Sequence, residues 1–316
     1  MVSLNDPLTS PDLGPGRFVR LAPAVQRLVA PNASLMTGPG TNTYVLGEPA
    51  LAVLDPGPDD PAHLNLLMRA VPRPLFIFVT HTHHDHSGGA RELAKRTGAP
   101  VVGLPPPQDG RQDEACVPHI QPAHDQLFSL ESAAERDTGA PSGAGSSIAA
   151  ANAERAKPVT RAMQLRAIHT PGHASNHVCF LLEESGILFS GDHVLDGVSP
   201  VILPPDGDMA AYLDSLQRLK GYNVRAIAPG HGRVLTDPVG AIDGLIAHRM
   251  RREAKVLAHL EALGRAQLEE LLPRVYDDVR QELLPVARFS LEAHLIKLAR
   301  EGRAQRDGDS WLACRQ

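Results

Sequence analysis

Four histidines and one aspartate fall within six positions of the segment FIFVTHTHHDHSGG, directly after an apolar run of strand character. Packing does not call for so many titratable side chains at the end of a buried strand, whereas metal ligation does. His81 and His83 are two apart, so an extended strand end points both to one side. Asp85 and His86 follow where the chain turns toward a helix, and one turn can thereby serve two neighbouring metals. In that geometry His84 points away from its neighbours and reads as exposed or supporting, not as a ligand. A metal needs about four donors, so others must arrive from elsewhere in the chain. Three apolar runs supply them, each ending in a tight Gly-containing turn: LRAIHTPGH brings His173, GILFSGD brings Asp192 and VRAIAPGHG brings His231. The set His81, His83, Asp85, His86, His173, Asp192 and His231 offers imidazole and carboxylate donors without thiolates, which fits two metals. His177 and His193 lie beside ligand positions and are candidates for orienting ligands or moving protons.

Several strands delivering one ligand each to the same sheet edge require a rigid α/β scaffold. From about residue 17 to 230 the pattern is short β-rich runs ended by Gly, Pro, Asp or His, mixed with helical stretches. Strands are expected at 51–55, 75–81 and 100–104, and a hairpin pairs VCFLLEE with GILFSGD through Ser185 and Gly186. Helical spacing marks 88–98 and 208–221, the second with Asp208 as its N-cap. Residues 105–160, rich in Ala, Gly, Ser and Pro, read as an insertion or mobile loop with no chemistry assigned. After His231 the texture becomes helical, with helices expected around 241–263, 267–276 and 282–301. RAQRDGDSWLAC then offers two brief strands about a DGD turn, completing a small winged-helix-like domain. The expected division is 1–245 for the body that carries the candidate ligands and 246–316 for this smaller domain.

The chain has 316 residues, 42% apolar and 21% charged, which is globular composition with room for more than one core. A formal charge of -5 gives no overall pull toward nucleic acid or anionic membrane. From Arg249 onward, 13 Arg and Lys face 11 Asp and Glu, so the C-terminal part lacks the strong basic face of a tight phosphate binder. Trp311 therefore reads as packed core, and the domain as a packing or dimerisation element that could also wall the pocket. Cys116, Cys179 and Cys314 are widely spaced and form no C-x-x-C pair. With neither a signal-like N-terminus nor an apolar run of transmembrane length, the expectation is a cytoplasmic protein with no membrane partner.

THTHHDHSGG, TPGHASNH, SGDH and PGHG resemble, in order, the successive motifs of the metallo-β-lactamase superfamily over about residues 20–235. The resemblance implies an αβ/βα sandwich with two zinc ions. His81, His83 and His173 would hold one, Asp85, His86 and His231 the other, and Asp192 would bridge them. VLDPG resembles the family's early structural motif, which makes Asp55 a supporting residue rather than a ligand. MTGPGTNTYVLG, PPDGDMAAYLDSL, HRMRRE and the winged-helix-like end resemble the β-lactamase-like protein 2 group, which includes a mitochondrial endoribonuclease, although no mitochondrial presequence is visible.

The implied chemistry is hydrolysis of an ester, thioester, amide or phosphodiester by a hydroxide bridging two metals, with Asp85 both binding metal and orienting the nucleophile. Zinc is expected, with iron or manganese as alternatives. Related diiron redox proteins carry another carboxylate in the first cluster, and His83 opposes that reading. Two narrower activities compete: an endoribonuclease acting on RNA and a glyoxalase II-like thioesterase acting on a small molecule. A non-enzymatic alternative, a nucleic-acid-binding protein with a vestigial metal site, is opposed by the complete ligand set.

Overall fold

The computed structural model describes residues 12–131 and 163–314. Two β-sheets stack face to face, each covered by helices on its outer side. The first has strand order β1 to β6: β1 (Phe18–Ala22), β2 (Val25–Val29), β3 (Asn42–Leu46), β4 (Ala52–Leu54), β5 (Phe76–Phe78) and β6 (Val101–Val102). Its first four strands run antiparallel, whereas β4, β5 and β6 are parallel. Parallel neighbours need crossovers, and helices α1 (Pro61–Ala70), α2 (His84–Ser87) and α3 (Ala90–Thr97) provide them. The second sheet has the order β11 (Ala226–Pro229), β10 (Ile187–Gly191), β9 (Val178–Leu182), β8 (Met163–His169) and β7 (Leu127–Leu130). Helix α4 (Met209–Leu219) crosses from β10 to β11.

Strands β3, β9, β10 and β11 are buried at every residue, because each lies between two cores. Alternation then sorts the side chains. Tyr44, Phe78, Phe180 and Phe189 meet between the sheets. Val45, Val53 and Ile77 face outward onto Leu64, Leu67 and Leu93 of α1 and α3. Cys179, Leu181 and Leu188 face the other way, onto Tyr212 and Leu216 of α4. The implied αβ/βα sandwich is therefore present.

Helix α5 (Pro238–Leu263) is long enough to belong to two cores: Ile242 packs with α4, while Val256 and Leu260 pack with a separate C-terminal cluster. That cluster holds α6 (Leu268–Val275), α7 (Leu284–Arg300) and the sheet β12-β14-β13, formed by Arg265–Gln267, Ser310–Ala313 and Ala304–Asp307. Trp311 is 3% exposed within it, as expected of a packed core residue. Among the described residues no helix is long and apolar enough to cross a membrane.

Three expectations need correction. Strand β5 ends at Phe78, not at residue 81, because the next backbone donor after Val79, that of Thr80, goes to the Asp55 side chain (2.7 Å) and not to a neighbouring strand. Much of 105–160 is built into the fold: Gln112 and Asp113 are buried, and Leu127–Leu130 is the edge strand of the second sheet. Residues 132–162 of that stretch lie outside the described residues. The strand Arg265–Gln267, which makes the C-terminal sheet three-stranded, carries only one buried residue and gives too little apolar alternation to be read from sequence.

Candidate metal centre

All seven candidate ligands gather at one end of the sandwich, in two groups. His81, His83, His173 and Asp192 offer donor atoms within 4.8 Å of one another, and so do Asp85, His86 and His231. Their placement follows from local chain geometry. Beyond β5 the chain bends at Thr80, His83 is extended where it caps α2, and the single turn of α2 then presents Asp85 and His86. His84 is exposed and lies in neither group.

In the first group His81 Nε2 lies 2.9 Å from His83 Nδ1, and His173 Nε2 lies 3.1 Å from the same atom. In the second, Asp85 Oδ2 lies 3.4 Å from His86 Nε2 and 3.2 Å from His231 Nε2. Asp192 spans both. Its Oδ1 is 3.3 Å from His86 Nε2 and 3.4 Å from His231 Nε2, while its Oδ2 is 3.7 Å from His173 Nε2.

The opposite ring nitrogens are already committed. His173 Nδ1 donates to the Val201 carbonyl (2.7 Å), His231 Nδ1 to the Gly40 carbonyl (3.2 Å) and His86 Nδ1 to Asp55 Oδ2 (3.0 Å). An imidazole that donates from Nδ1 presents a lone pair at Nε2 once that nitrogen is deprotonated, so these three rings aim Nε2 into the centre as potential metal donors. Among the described residues, buried His86 Nε2 and Asp192 Oδ1 have no hydrogen-bond partner despite their proximity. Converging ring nitrogens, unsatisfied buried donor atoms and a carboxylate facing both groups are the properties a pair of divalent cations satisfies, so the residues fit such ions.

The electrostatics agree. Burial, reinforced by neighbouring imidazoles, pushes His81 well below its ordinary range and His83 down to about 3, so both are neutral. Burial alone would do the same to His86 and His231. Instead, Asp85 and Asp192 hold His86 well above the usual value, and Asp192 and Asp85 raise His231 to about 10. Burial would raise the two carboxyls, yet His86 beside Asp85, and His231 and His86 beside Asp192, hold both well below the ordinary carboxylate range. The cavity thus concentrates negative charge that metal ions would neutralise in place of protons.

Asp55, read as a supporting residue, occupies that place: its carboxylate accepts from the Thr80 amide and hydroxyl (2.7 and 2.8 Å) as well as from His86. His177 and His193 are buried and belong to neither donor group. His177 stacks on His81 with ring centroids 5.1 Å apart and bonds Thr170 Oγ1 through Nδ1 (2.9 Å). His193 packs on the Tyr212 ring at 4.8 Å. Sequence reasoning passed over Thr41, whose hydroxyl donates to Asp85 Oδ2 (3.2 Å) and accepts from Asn32 (2.9 Å). The available signal was the run of buried polar residues Thr41, Asn42 and Thr43 where an apolar strand begins.

Glycine at position 230 is a steric requirement: a Cβ there would lie 2.6 Å from both Asp192 Oδ1 and His86 Cε1. Gly230→Ala should therefore displace Asp192, which faces both groups, and His86 of the second. The expected loss of metal affinity is about 10-fold or more, read by chelator competition, with the sandwich still folded by circular dichroism.

The comparisons with known proteins fit this geometry. The model for "Metallo-beta-lactamase superfamily" matches residues 36–109 and 163–231, and that for "Beta-lactamase associated winged helix domain" matches 268–311. The Beta-lactamase-like protein 2 homolog of Drosophila melanogaster is 30% identical over 90% of this chain and 90% of its own length. An atrochrysone carboxyl ACP thioesterase of Cryptosporiopsis sp. (strain 8999) is 30% identical over 77% of this chain and 64% of its own. The crystal structure of a metallo-beta-lactamase family protein from Thermus thermophilus shares the fold, with a TM-score of 0.68 at 23% identity, covering 93% of this chain and 100% of that one. The chain belongs to the metallo-β-lactamase superfamily of metal-dependent hydrolases, in the group of the Beta-lactamase-like protein 2 homologs, and carries the associated winged helix at residues 268–311.

Proposed function

We propose that the seven side chains hold two divalent ions, zinc in the first instance, and that the protein hydrolyses a thioester of a small acyl group. The observation that carries the binuclear reading is the division of Asp192, with one oxygen toward His86 and His231 and the other toward His173. Such ions, when bound, would lower the pKa of a coordinated water and supply a nucleophile near neutral pH. The chain's own contribution is to hold the geometry. Asp85 is the more open carboxylate, its side chain 28% exposed against 12% for Asp192, and Thr41 fixes its Oδ2. Asp85 is thus placed to orient an incoming water.

The thioester class rests on relatives named as acyl-carrier-protein thioesterases and on the charge of the C-terminal domain. Its cations Arg252, Lys255, Arg265 and Arg288 each lie within ion-pair reach of a carboxylate, namely Asp278, Asp277, Asp307 and Glu269. Side chains so occupied are poor phosphate clamps, which weighs against RNA. Assays on acyl-CoA, acyl-carrier protein, lactone, β-lactam and RNA decide the class. The expected result is turnover of a thioester, reduced about 100-fold or more by Asp85→Asn. Turnover of RNA alone, with salt-sensitive binding, would replace this reading with the endoribonuclease one.

A further inference from the structure

The winged-helix end reaches the metal centre through a short segment that has no regular structure of its own. Residues 199–203 belong to no helix or strand. Within them the Val201 carbonyl accepts the Nδ1 proton of His173 at 2.7 Å, and this bond turns His173 Nε2 toward His83 and Asp192. The peptide group that carries this carbonyl, Val201–Ile202, and the one before it, Pro200–Val201, are both held from the C-terminal helices. Arg249, in the middle of α5, donates from Nη2 to the Pro200 carbonyl, and Ser290, on α7, accepts from the Ile202 amide at 3.4 Å.

Both side chains are buried, Arg249 to 3% exposure and Ser290 to 5%. A buried guanidinium is costly to desolvate, so its burial against one carbonyl and one aromatic face asks for a reason beyond packing. The aromatic face is Tyr212, whose ring centroid lies 5.4 Å from the Arg249 guanidinium carbon. Tyr212 in turn donates its hydroxyl to the His193 carbonyl at 3.0 Å, one residue after Asp192. Arg249 thus bears on His173 through the adjoining Pro200 peptide, and its variants are expected to act along that path.

We infer that Arg249 and Ser290 are positioning residues for His173, so that the C-terminal domain sets the affinity of the site formed by His81, His83 and His173. The inference rests on the metal-binding reading above. Bonds that orient a ligating histidine typically govern metal affinity by 10- to 100-fold, and here the orienting carbonyl is itself oriented by another domain. A purely docking role for the same contacts would change the stability of the fold without distinguishing one metal from the other.

The test is graded chelation of the zinc-loaded full chain, with the melting temperature of each variant recorded alongside. In Arg249→Met, one of the two zinc ions should be released at about tenfold lower chelator than in wild type, with the other unchanged. Arg249→Lys, which keeps a cation able to reach the Pro200 carbonyl, should recover part of that loss. Ser290→Ala should weaken the same ion to a smaller degree, and it decides the matter if Arg249→Met does not fold. In a His173→Ala background Arg249→Met should add little further loss, since its effect passes through that ring. Folded variants that keep both ions at wild-type affinity, or losses that add in full to His173→Ala, would overturn the inference. Wild-type protein that binds no zinc would instead overturn the metal-binding reading, and the inference with it.

Discussion

Asp192→Ala should lower turnover by about 1,000-fold or more and reduce the bound metal from about two ions per chain to one or fewer. The size of the effect follows from the carboxylate's position. It is the one candidate ligand that faces both groups, through Oδ1 to His86 and His231 and through Oδ2 to His173. Removing any of the histidines takes a donor from one group, whereas removing Asp192 takes one from both. It also removes negative charge from beside His86 and His231, the charge that makes the cavity attractive to cations. Elemental analysis and a thioester assay on the same preparation would check both halves. Retention of two ions with activity lowered less than tenfold would show that Asp192 is peripheral.

Asp55→Ala should act on stability and on metal together, although Asp55 is not a candidate ligand. Its carboxylate is 1% exposed and accepts from the Thr80 amide, the Thr80 hydroxyl and His86 Nδ1. Alanine would leave those groups without their acceptor in the interior. Each orphaned buried donor costs about 1–3 kcal/mol, so a loss of about 3 kcal/mol in unfolding free energy is the expected minimum. With its Nδ1 partner gone, His86 would no longer be fixed in the orientation that points Nε2 at Asp85 and Asp192, and metal affinity should fall about 10- to 100-fold. Denaturant melts and chelator competition measure the two losses separately. A variant that melts like wild type would contradict the role given to this carboxylate.

The candidate ligands were legible because their signals are local: a strand end crowded with His81, His83, Asp85 and His86, and three apolar runs closing on His173, Asp192 and His231. The strands that bear them were legible for the same reason, since β9 and β10 are continuous apolar runs bounded by turn residues. What escaped is non-local. No sequence spacing couples Thr41 to Asp85, 44 residues away, or Arg249 to Pro200, 49 residues away. Such pairs depend on how the sheets and the C-terminal helices dock, which periodicity does not encode. Composition also misled where it outweighed burial. The Pro-rich opening of 105–160 concealed Asp113, whose carboxylate accepts from Ser87 at 3.0 Å on the turn that bears Asp85 and His86.

The most direct test of the account is metal analysis of the wild-type protein, by elemental quantification after purification and again after incubation with zinc, manganese or iron. The account predicts about two divalent ions per chain, filling in two resolvable steps on titration into metal-free protein. Protein that takes up no ion under any of these conditions would contradict it, and the gathered histidines and carboxylates would then need another explanation.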